Sequence, residues 1–291
     1  MEKYKPLMDD WAEFRESVET PALSTVRKNH LKASDDFEEQ LRKRFKEVEQ
    51  ADWNPDIYRL RGEKLPGKSM LHWFGEYYVQ EESATVPVEV LDSQEGDRIL
   101  DMCAAPGGKT TQIASKIRNQ GSIVANDQSS KRLQSLHANV YRTGAASVAV
   151  TNYDGRHIPE DEEYDRILLD APCSGEGDRA RRNFEAAEEQ EKESLSELQK
   201  QLGEKAAKML EEDGVMVYST CTINPQENEE VVKHLVESTG LNLEMIELDL
   251  EHVRGVSRFE DEEYGEMMSK TVRIYPHHFE SGVIYIARFR K

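Results

Sequence analysis

The 291-residue sequence has little cysteine, a shortage of positive charge and no long apolar run. Its three cysteines, Cys103, Cys173 and Cys221, are too few and too scattered for a disulfide framework or a zinc site. A small, odd number of thiols fits a reducing compartment, where an isolated cysteine stays free for chemistry. No stretch approaches the roughly 20 apolar residues of a membrane span. The segment from Met1 to Trp11 carries charges and a proline where a signal peptide would have an apolar centre. A cytoplasmic protein with no membrane partner is expected. The 38 Lys and Arg stand against 57 Asp and Glu, a net charge of −19. Nucleic-acid binders usually show a basic face. The balance therefore implies either an acidic, solubilising surface around a locally positive groove, or a substrate that is not nucleic acid. Composition does not choose between them.

Along the chain, residues 1–75 read as a small N-terminal subdomain and 76–291 as the larger, main domain. Phe37, Leu41, Phe45 and Val48 at helical spacing behind Ser34 predict an amphipathic helix over 34–49. The stretch 53–68 is rich in turn residues and has no regular period. Beyond Gly96, apolar runs at 98–102, 122–126, 147–150, 165–169, 214–219 and 242–248 alternate with helical stretches at 110–117, 131–143, 188–210 and 227–237. This alternation predicts an α/β fold, a parallel sheet with helices on both faces. The last run, 282–289, is expected to pair antiparallel at or near the sheet edge. Acidic patches at 160–163, 185–193 and 260–263 read as solvated faces or loop tips.

The segment Leu100-Asp-Met-Cys-Ala-Ala-Pro-Gly-Gly-Lys-Thr-Thr111 places a small-residue loop between a strand and a helix. Gly107 and Gly108 allow close backbone approach to a ligand, and the helix start offers free N–H groups. Open α/β sheets bind ligands at this position. Gly108-Lys-Thr110 matches the end of a phosphate-binding P-loop, but Cys103 stands where its leading glycine belongs, which excludes that reading. Asp127, ending the next strand, would alone read as a helix cap, but behind this loop the ribose hydroxyls of a nucleoside cofactor are the favoured partner. Asp154, after the third strand, lies where it could reach an adenine amino group, or could merely form a turn before Gly155.

Two further segments end adjacent predicted strands with a cysteine. One is Asp165-Arg-Ile-Leu-Leu-Asp-Ala-Pro-Cys-Ser-Gly-Glu-Gly177, carrying Asp170 and Cys173; the other is Val217-Tyr-Ser-Thr-Cys-Thr-Ile-Asn-Pro-Gln-Glu-Asn228, carrying Cys221. Adjacent parallel strands would bring both thiols to one rim beside the cofactor crevice.

Residues 102–110, 169–177 and 218–228 closely resemble the signature motifs of the Sun-domain RNA cytosine-C5 methyltransferases. Tyr77-Tyr-Val-Gln-Glu-Glu-Ser-Ala84 resembles the family's entry segment, Thr25-Val-Arg-Lys-Asn-His-Leu-Lys32 a strand of its N-terminal subdomain, and residues 273–288 its closing motif. Short archaeal members acting on tRNA look most similar. The resemblance implies a Rossmann-like, S-adenosylmethionine-dependent methyltransferase fold, with a mostly parallel seven-stranded sheet and a small N-terminal α+β subdomain of RNA-binding type. It implies Cys221 as the nucleophile on carbon 6 of cytosine, Cys173 as the residue assisting release, and Asp170 on the N3/N4 edge. Lys109 would position the base or the thiolate. Cys103, Ala104, Ala105, Pro106, Gly107, Gly108, Lys109, Asp127, Arg132, Asp154 and Asp170 are implied as S-adenosyl-L-methionine contacts, with no metal. The implied partner is RNA, tRNA ahead of rRNA, and the sequence names no helper protein.

The chain departs from the family after Gly177, where Asp178-Arg-Ala-Arg-Arg-Asn-Phe184 runs on into an acidic helix, and at Gly282-Val-Ile, where paired phenylalanines are common. Arg27, Lys28, Lys32, Arg179, Arg181 and Arg182 are expected phosphate contacts. The rival readings are a methyltransferase for proteins or small molecules, which has no use for paired thiols, a non-catalytic RNA-binding factor, which has no need of Cys221, and a DNA cytosine methyltransferase.

Overall fold

The structure, a computed structural model, describes residues 1–20, 23–62 and 65–291. Helix α1 (Trp11–Glu19) precedes strand β1 (Ser24–Lys28), helix α2 (Phe37–Arg44), strands β2 (Glu47–Ala51) and β3 (Asn54–Arg61), helix α3 (Met70–Phe74) and strand β4 (Tyr77–Val79). The four strands form an antiparallel sheet in the order β2-β3-β1-β4. Its last strand comes from beyond residue 75.

Two expectations fail here. The helix expected over 34–49 stops at Arg44, and Phe45 is extended. Val48 instead lies in β2, opposite Leu60 of β3, with Glu47 opposite Arg61. Cross-strand pairing supplied a better partner than continued helix. The stretch 53–68 contains β3, whose buried residues Ile57, Tyr58 and Leu60 do not alternate strictly, so no period of two could be read.

The C-terminal half runs through helix α4 (Val86–Leu91), strand β5 (Arg98–Asp101), helix α5 (Gly108–Lys116), strand β6 (Ser122–Asn126), helix α6 (Ser130–Thr143) and strands β7 (Val148–Thr151) and β8 (Tyr164–Asp170). Helices α7 (Glu176–Arg182) and α8 (Glu189–Met209), strand β9 (Leu210–Thr220), helix α9 (Glu229–Thr239) and short strands β10 (Asn242–Glu244) and β11 (Val253–Arg254) follow. A small hairpin, β12 (Arg258–Phe259) with β13 (Glu262–Glu263), leads to β14 (Val272–Ile274), helix α10 (Pro276–Phe279) and β15 (Ile284–Arg290).

The sheet order is β11-β14-β15-β9-β8-β5-β6-β7, with β10 also paired to β15. The fold is therefore the expected Rossmann-like α/β class, but the sheet has nine strands instead of seven. Strands β9, β8, β5, β6 and β7 are mutually parallel. β15 pairs antiparallel near the edge, as expected: β9 lies on one side, and only the short strands β14 and β10, then β11, lie on the other. The extra strands are two or three residues long, too short to show a period.

Both faces of the central strands are covered, so their apolar residues run continuously. In β8, Ile167 and Leu169 pack with Leu202 of α8 and Leu235 of α9, while Leu168 packs with Val88 of α4 and Ile113 of α5. Residues 1–20 leave the N-terminal sheet and pack on the C-terminal half, where Tyr4, Leu7, Phe14 and Val18 meet Ile223, Tyr275 and Val283. The chain leaves β5 outward through β6 and β7, then returns to β8 on the other side of β5. This reversal opens the crevice at the strands' carboxyl ends where doubly wound sheets bind ligands. No helix among the described residues is long and apolar enough to cross a membrane.

Candidate active site

A cavity of about 250 Å³ opens at that reversal, lined by Cys103 after β5, Asp127 after β6, Asp154 after β7, Asp170 and Cys173 at and after β8, and Cys221 after β9. A larger groove of about 990 Å³ lies between β1, β3 and the segment after β10, and contains none of the three cysteines. The smaller cavity is where the reactive groups converge.

The two thiols meet. Cys173 Sγ and Cys221 Sγ are 3.2 Å apart, with Cys173 half-buried and Cys221 exposed. The hydrogen bond with Cys221, and then burial, push the Cys173 thiol well above its ordinary pKa. Beside them Lys109 Nζ donates to Asp170 Oδ2 at 2.7 Å, and Ser219 Oγ donates to Asp170 Oδ1 at 2.7 Å. Both carboxylate oxygens are thus fixed in orientation. Burial alone would lower the Lys109 pKa; the charge and hydrogen bond of Asp170, with the nearby Cys221, outweigh it and hold the ammonium above the ordinary lysine value.

The loops are held from behind. Ser174 N–H donates to Glu227 Oε2 at 2.9 Å, and Gln199 Nε2 donates to Pro172 O at 2.8 Å and to Glu227 at 3.1 Å. Burial raises the Glu227 carboxyl pKa. Thr220 Oγ1 and Asn228 pin the base of the Cys221 loop, and Asn228 Nδ2 donates to Thr222 O at 3.0 Å. Gly177 N–H donates to Cys221 O at 3.1 Å, and a Cβ there would lie 2.9 Å from that oxygen. Buried Arg273 reaches Glu229 at 2.7 Å and Ile223 O at 2.8 Å, bracing the same loop.

The cofactor-loop expectations divide. Cys103 lines the cavity, and burial pushes its thiol pKa up. Ala104, Ala105, Pro106, Gly107 and Gly108 are not among its walls. They form the turn into α5, with a cis Ala105–Pro106 bond and with Ala104 N–H donating to Asn126 O at 2.7 Å. Gly107 is required by its φ of +104°. The carbonyl of Gly108 accepts from Arg27 Nη1 at 3.0 Å. Asp127 accepts from Ser129 N–H at 2.9 Å and from Ala105 N–H at 3.2 Å, and pairs with Arg132 at 3.3 Å. Ser129, not Asp127, accepts from the first turn of α6. Asp154 caps the turn at 155–157 and grips Arg156; those hydrogen bonds hold its pKa down at about 2. Both carboxylates thus have local partners while still facing the cavity.

The expected phosphate contacts mostly do not stand free. Arg27 is buried and bonded to Gly108 and Thr111, Arg179 pairs with Glu191, and Arg181 pairs with Glu81. Lys28 is half-buried over Phe37. Lys32 and Arg182 are exposed, Arg182 within 3.7 Å of Asp178. Nearby glutamates take up Arg179 and Arg181, while a carbonyl and a hydroxyl take up Arg27.

Asp101 was missed by sequence reasoning. It is buried beneath the site, accepts from Thr110 Oγ1 at 2.6 Å, and burial lifts its pKa to about 7. Its place at a strand end, like Asp127 and Asp170, was the available signal. Glu227, Asn228 and Arg273 were likewise missed; nothing in the sequence shows which residues they brace.

Asp9, His277 and His278 also converge, with both Nε2 atoms on the Asp9 carboxylate at 2.8 and 3.3 Å. His278 Nδ1 accepts from Tyr275 N–H at 3.2 Å, which puts the ring proton on Nε2 and makes a hydrogen bond, not a metal-ligating lone pair, face Asp9.

Comparison with known proteins agrees with this geometry. The description "16S rRNA methyltransferase RsmB/F" matches residues 88–290, and "N-terminal domain of 16S rRNA methyltransferase RsmF" matches residues 1–82. The chain is 38% identical to a tRNA (cytosine(49)-C(5))-methyltransferase of Pyrococcus abyssi, over 100% of this chain and 95% of the relative. It is 34% identical to ribosomal RNA small subunit methyltransferase F of Vibrio atlanticus, over 100% of this chain but only 62% of that relative. A crystal structure described as a methyltransferase homolog protein from Pyrococcus horikoshii superposes with a TM-score of 0.87 at 30% identity, covering 100% of this chain and 93% of that one. With two thiols at the ends of adjacent strands and matches from end to end, the chain belongs to the RsmB/F methyltransferase family.

Proposed function

We propose that this chain methylates carbon 5 of cytosine in RNA, with Cys221 as the nucleophile and tRNA as the favoured substrate. The observation that carries the reading is the Cys173–Cys221 contact of 3.2 Å beside the Lys109–Asp170 pair. S-adenosylmethionine, when bound, supplies the methyl group as an electrophile. The cavity residues fit it. Asp127 offers acceptors for ribose hydroxyls and Asp154 for an adenine amino group, while Met102 and Leu202 give an apolar wall. The wall is tight, since a Cβ on Gly155 would meet Leu202 Cδ2 at 2.5 Å.

Carbon 5 of cytosine is a poor nucleophile until a group adds to carbon 6. Cys221 is exposed at the cavity rim for that addition, with the Lys109 ammonium as countercharge to its thiolate. Asp170, oriented by Lys109 and Ser219, is the acceptor for the N4 amino group on the N3/N4 edge, while the Lys109 ammonium offsets the negative charge developing on the ring. After methylation carbon 5 loses its proton to a base, and the bond from carbon 6 to sulfur breaks. Cys173, kept as a thiol by burial and by its contact with Cys221, donates to the departing sulfur. Since a stacked base hides carbon 6, the cytosine is flipped out or already unpaired. Methyl transfer to oxygen or nitrogen has no use for this thiol pair, which disfavours a protein or small-molecule substrate.

The end-to-end match to a tRNA-acting relative favours tRNA, whereas the chain spans about three fifths of the ribosomal relatives. Ribosomal RNA is the second reading, favoured by the family description. Incubation with methyl-labelled S-adenosylmethionine and either bulk tRNA or ribosomal RNA is expected to yield labelled 5-methylcytosine in tRNA, and none with Cys221→Ala. Label incorporated equally by the Cys221→Ala protein would sink the mechanism.

A further inference from the structure

The sequence leaves a question that the active site does not answer: how a chain of net charge −19 holds a polyanion. The carboxylates are unevenly spread. Between Asp101 and Asp154 the only one is Asp127, which is buried. Residues 20–34 and 64–75 contain none.

The fold gathers these segments at the C-terminal end of α6. Asn29 Nδ2 donates to Gly75 O at 2.7 Å and to Thr143 O at 2.8 Å. Arg142 Nη1 donates to His72 O at 2.8 Å, joining α3 to α6. Asn119 Nδ2 donates to Gly144 O at 3.0 Å, and the Lys32 side chain lies so close over Gly144 that a Cβ there would be 2.7 Å from its Cε. Lys32, Lys68, Arg118 and Lys131 are exposed, and among the described residues none has a carboxylate within ion-pair distance. Most other exposed cations among the described residues are paired; Lys5, Lys46, Lys208 and Arg258, spread elsewhere over the surface, are not.

Large apolar groups are exposed on the same region: Trp73 at 72%, Phe74 at 61% and Tyr141 at 89%. Along helix α6, Arg132 at the cavity wall and Tyr141 lie about 14 Å apart at 1.5 Å per residue. Unpaired cations beside exposed rings are what an unpaired nucleic-acid strand requires: charge for the phosphates and flat surfaces for the bases.

We propose that α3, the exposed face of α6 and the loop bearing Lys32 form the RNA-docking surface. Bases from a single-stranded or loop segment of the substrate stack on Trp73, Phe74 and Tyr141, and phosphates lie against Lys32, Lys68 and Lys131. This rests on the reading of an RNA substrate and adds where the RNA lies outside the catalytic cavity. The charge argument selects RNA over an apolar protein partner, which would not need the cations.

The test measures binding of fluorescein-labelled bulk tRNA across a salt series, and methylation at limiting and saturating tRNA. It compares wild type with Trp73→Ala, Tyr141→Ala, the double variant Lys68→Glu/Lys131→Glu, and Lys208→Glu on the exposed face of α8 as a control. Trp73→Ala and Tyr141→Ala are each expected to weaken binding about tenfold. The lysine double variant is expected to reduce the salt slope by about one to two. In all three, kcat at saturating tRNA should stay near wild type while KM rises, and Lys208→Glu should change neither. All positions are exposed, so melting temperatures should be unchanged. RNA binding and KM intact in the three variants, with wild type active, would overturn this surface alone. A wild type that neither binds nor methylates any RNA would overturn the RNA reading itself.

Discussion

Cys173 and Cys221 follow adjacent parallel strands in one sheet, yet their surroundings differ. The Cys173 loop is tied inward through Ser174, Gln199 and Glu227, and its thiol is half-buried. The Cys221 loop is braced at its base by Asn228 and Arg273, while its thiol stands exposed beside the ammonium of Lys109. Two residues of one kind thus receive different chemistry from their environments: a thiol held protonated, and a thiol open to substrate. The difference lies in what is packed behind each loop, not in the cysteines.

The sharpest way to break this contrast is Cys221→Ala. It should lower methylation by at least about 10⁴-fold, measured as label in 5-methylcytosine, because removing a covalent nucleophile leaves only binding and electrostatics. Retained activity would move the nucleophile to Cys173. Arg273→Met attacks only the brace under Cys221. Leaving Glu229 buried and unpaired should destabilise the protein by about 3–5 kcal/mol, read as a lower midpoint in urea, whereas unchanged stability would mean that the pair carries no net weight. Cys173→Ala should slow turnover by roughly 10²-fold and leave protein on RNA as a denaturant-stable adduct. Fast turnover without adduct would show that Cys221 leaves unaided.

The smallest effect concerns Asp101, buried at the end of β5 against Thr110. Its pKa in the folded protein is raised by burial to about 7 from an ordinary 3.8, so the folded state binds the proton more tightly than the unfolded chain. The stability this contributes is complete below pH 3.8 and lost as pH rises through about 7. Asp101→Asn mimics the protonated form. Its melting temperature minus that of wild type should therefore grow between about pH 4 and pH 7 and level off above, by a few degrees. A flat difference would show an ionised Asp101 throughout.

Much of the catalytic half was readable. Strands at 122–126 and 165–169 and helices at 131–143 and 188–210 fall within a residue or two of those observed, because burial on both faces produces apolar runs and capped helices that local sequence reveals. Prediction failed where a neighbour decided the outcome. Val48 belongs to a strand because Leu60 lies opposite. Arg27, Arg179 and Arg181 were expected at phosphates but meet partners distant in sequence.

By itself the sequence determined the α/β class, the crevice at the strand ends and the candidates Cys173, Cys221, Asp170 and Lys109, since each lies in a local motif at or shortly after the end of a strand. Tertiary structure decided that the thiols lie 3.2 Å apart, that Asp127 and Asp154 already have partners, and that Glu227 and Arg273 support the loops. It also decided that three carboxylate-poor segments meet at the end of α6. Charge and hydrogen bonding act between neighbours in space, and only the folded chain specifies who those neighbours are.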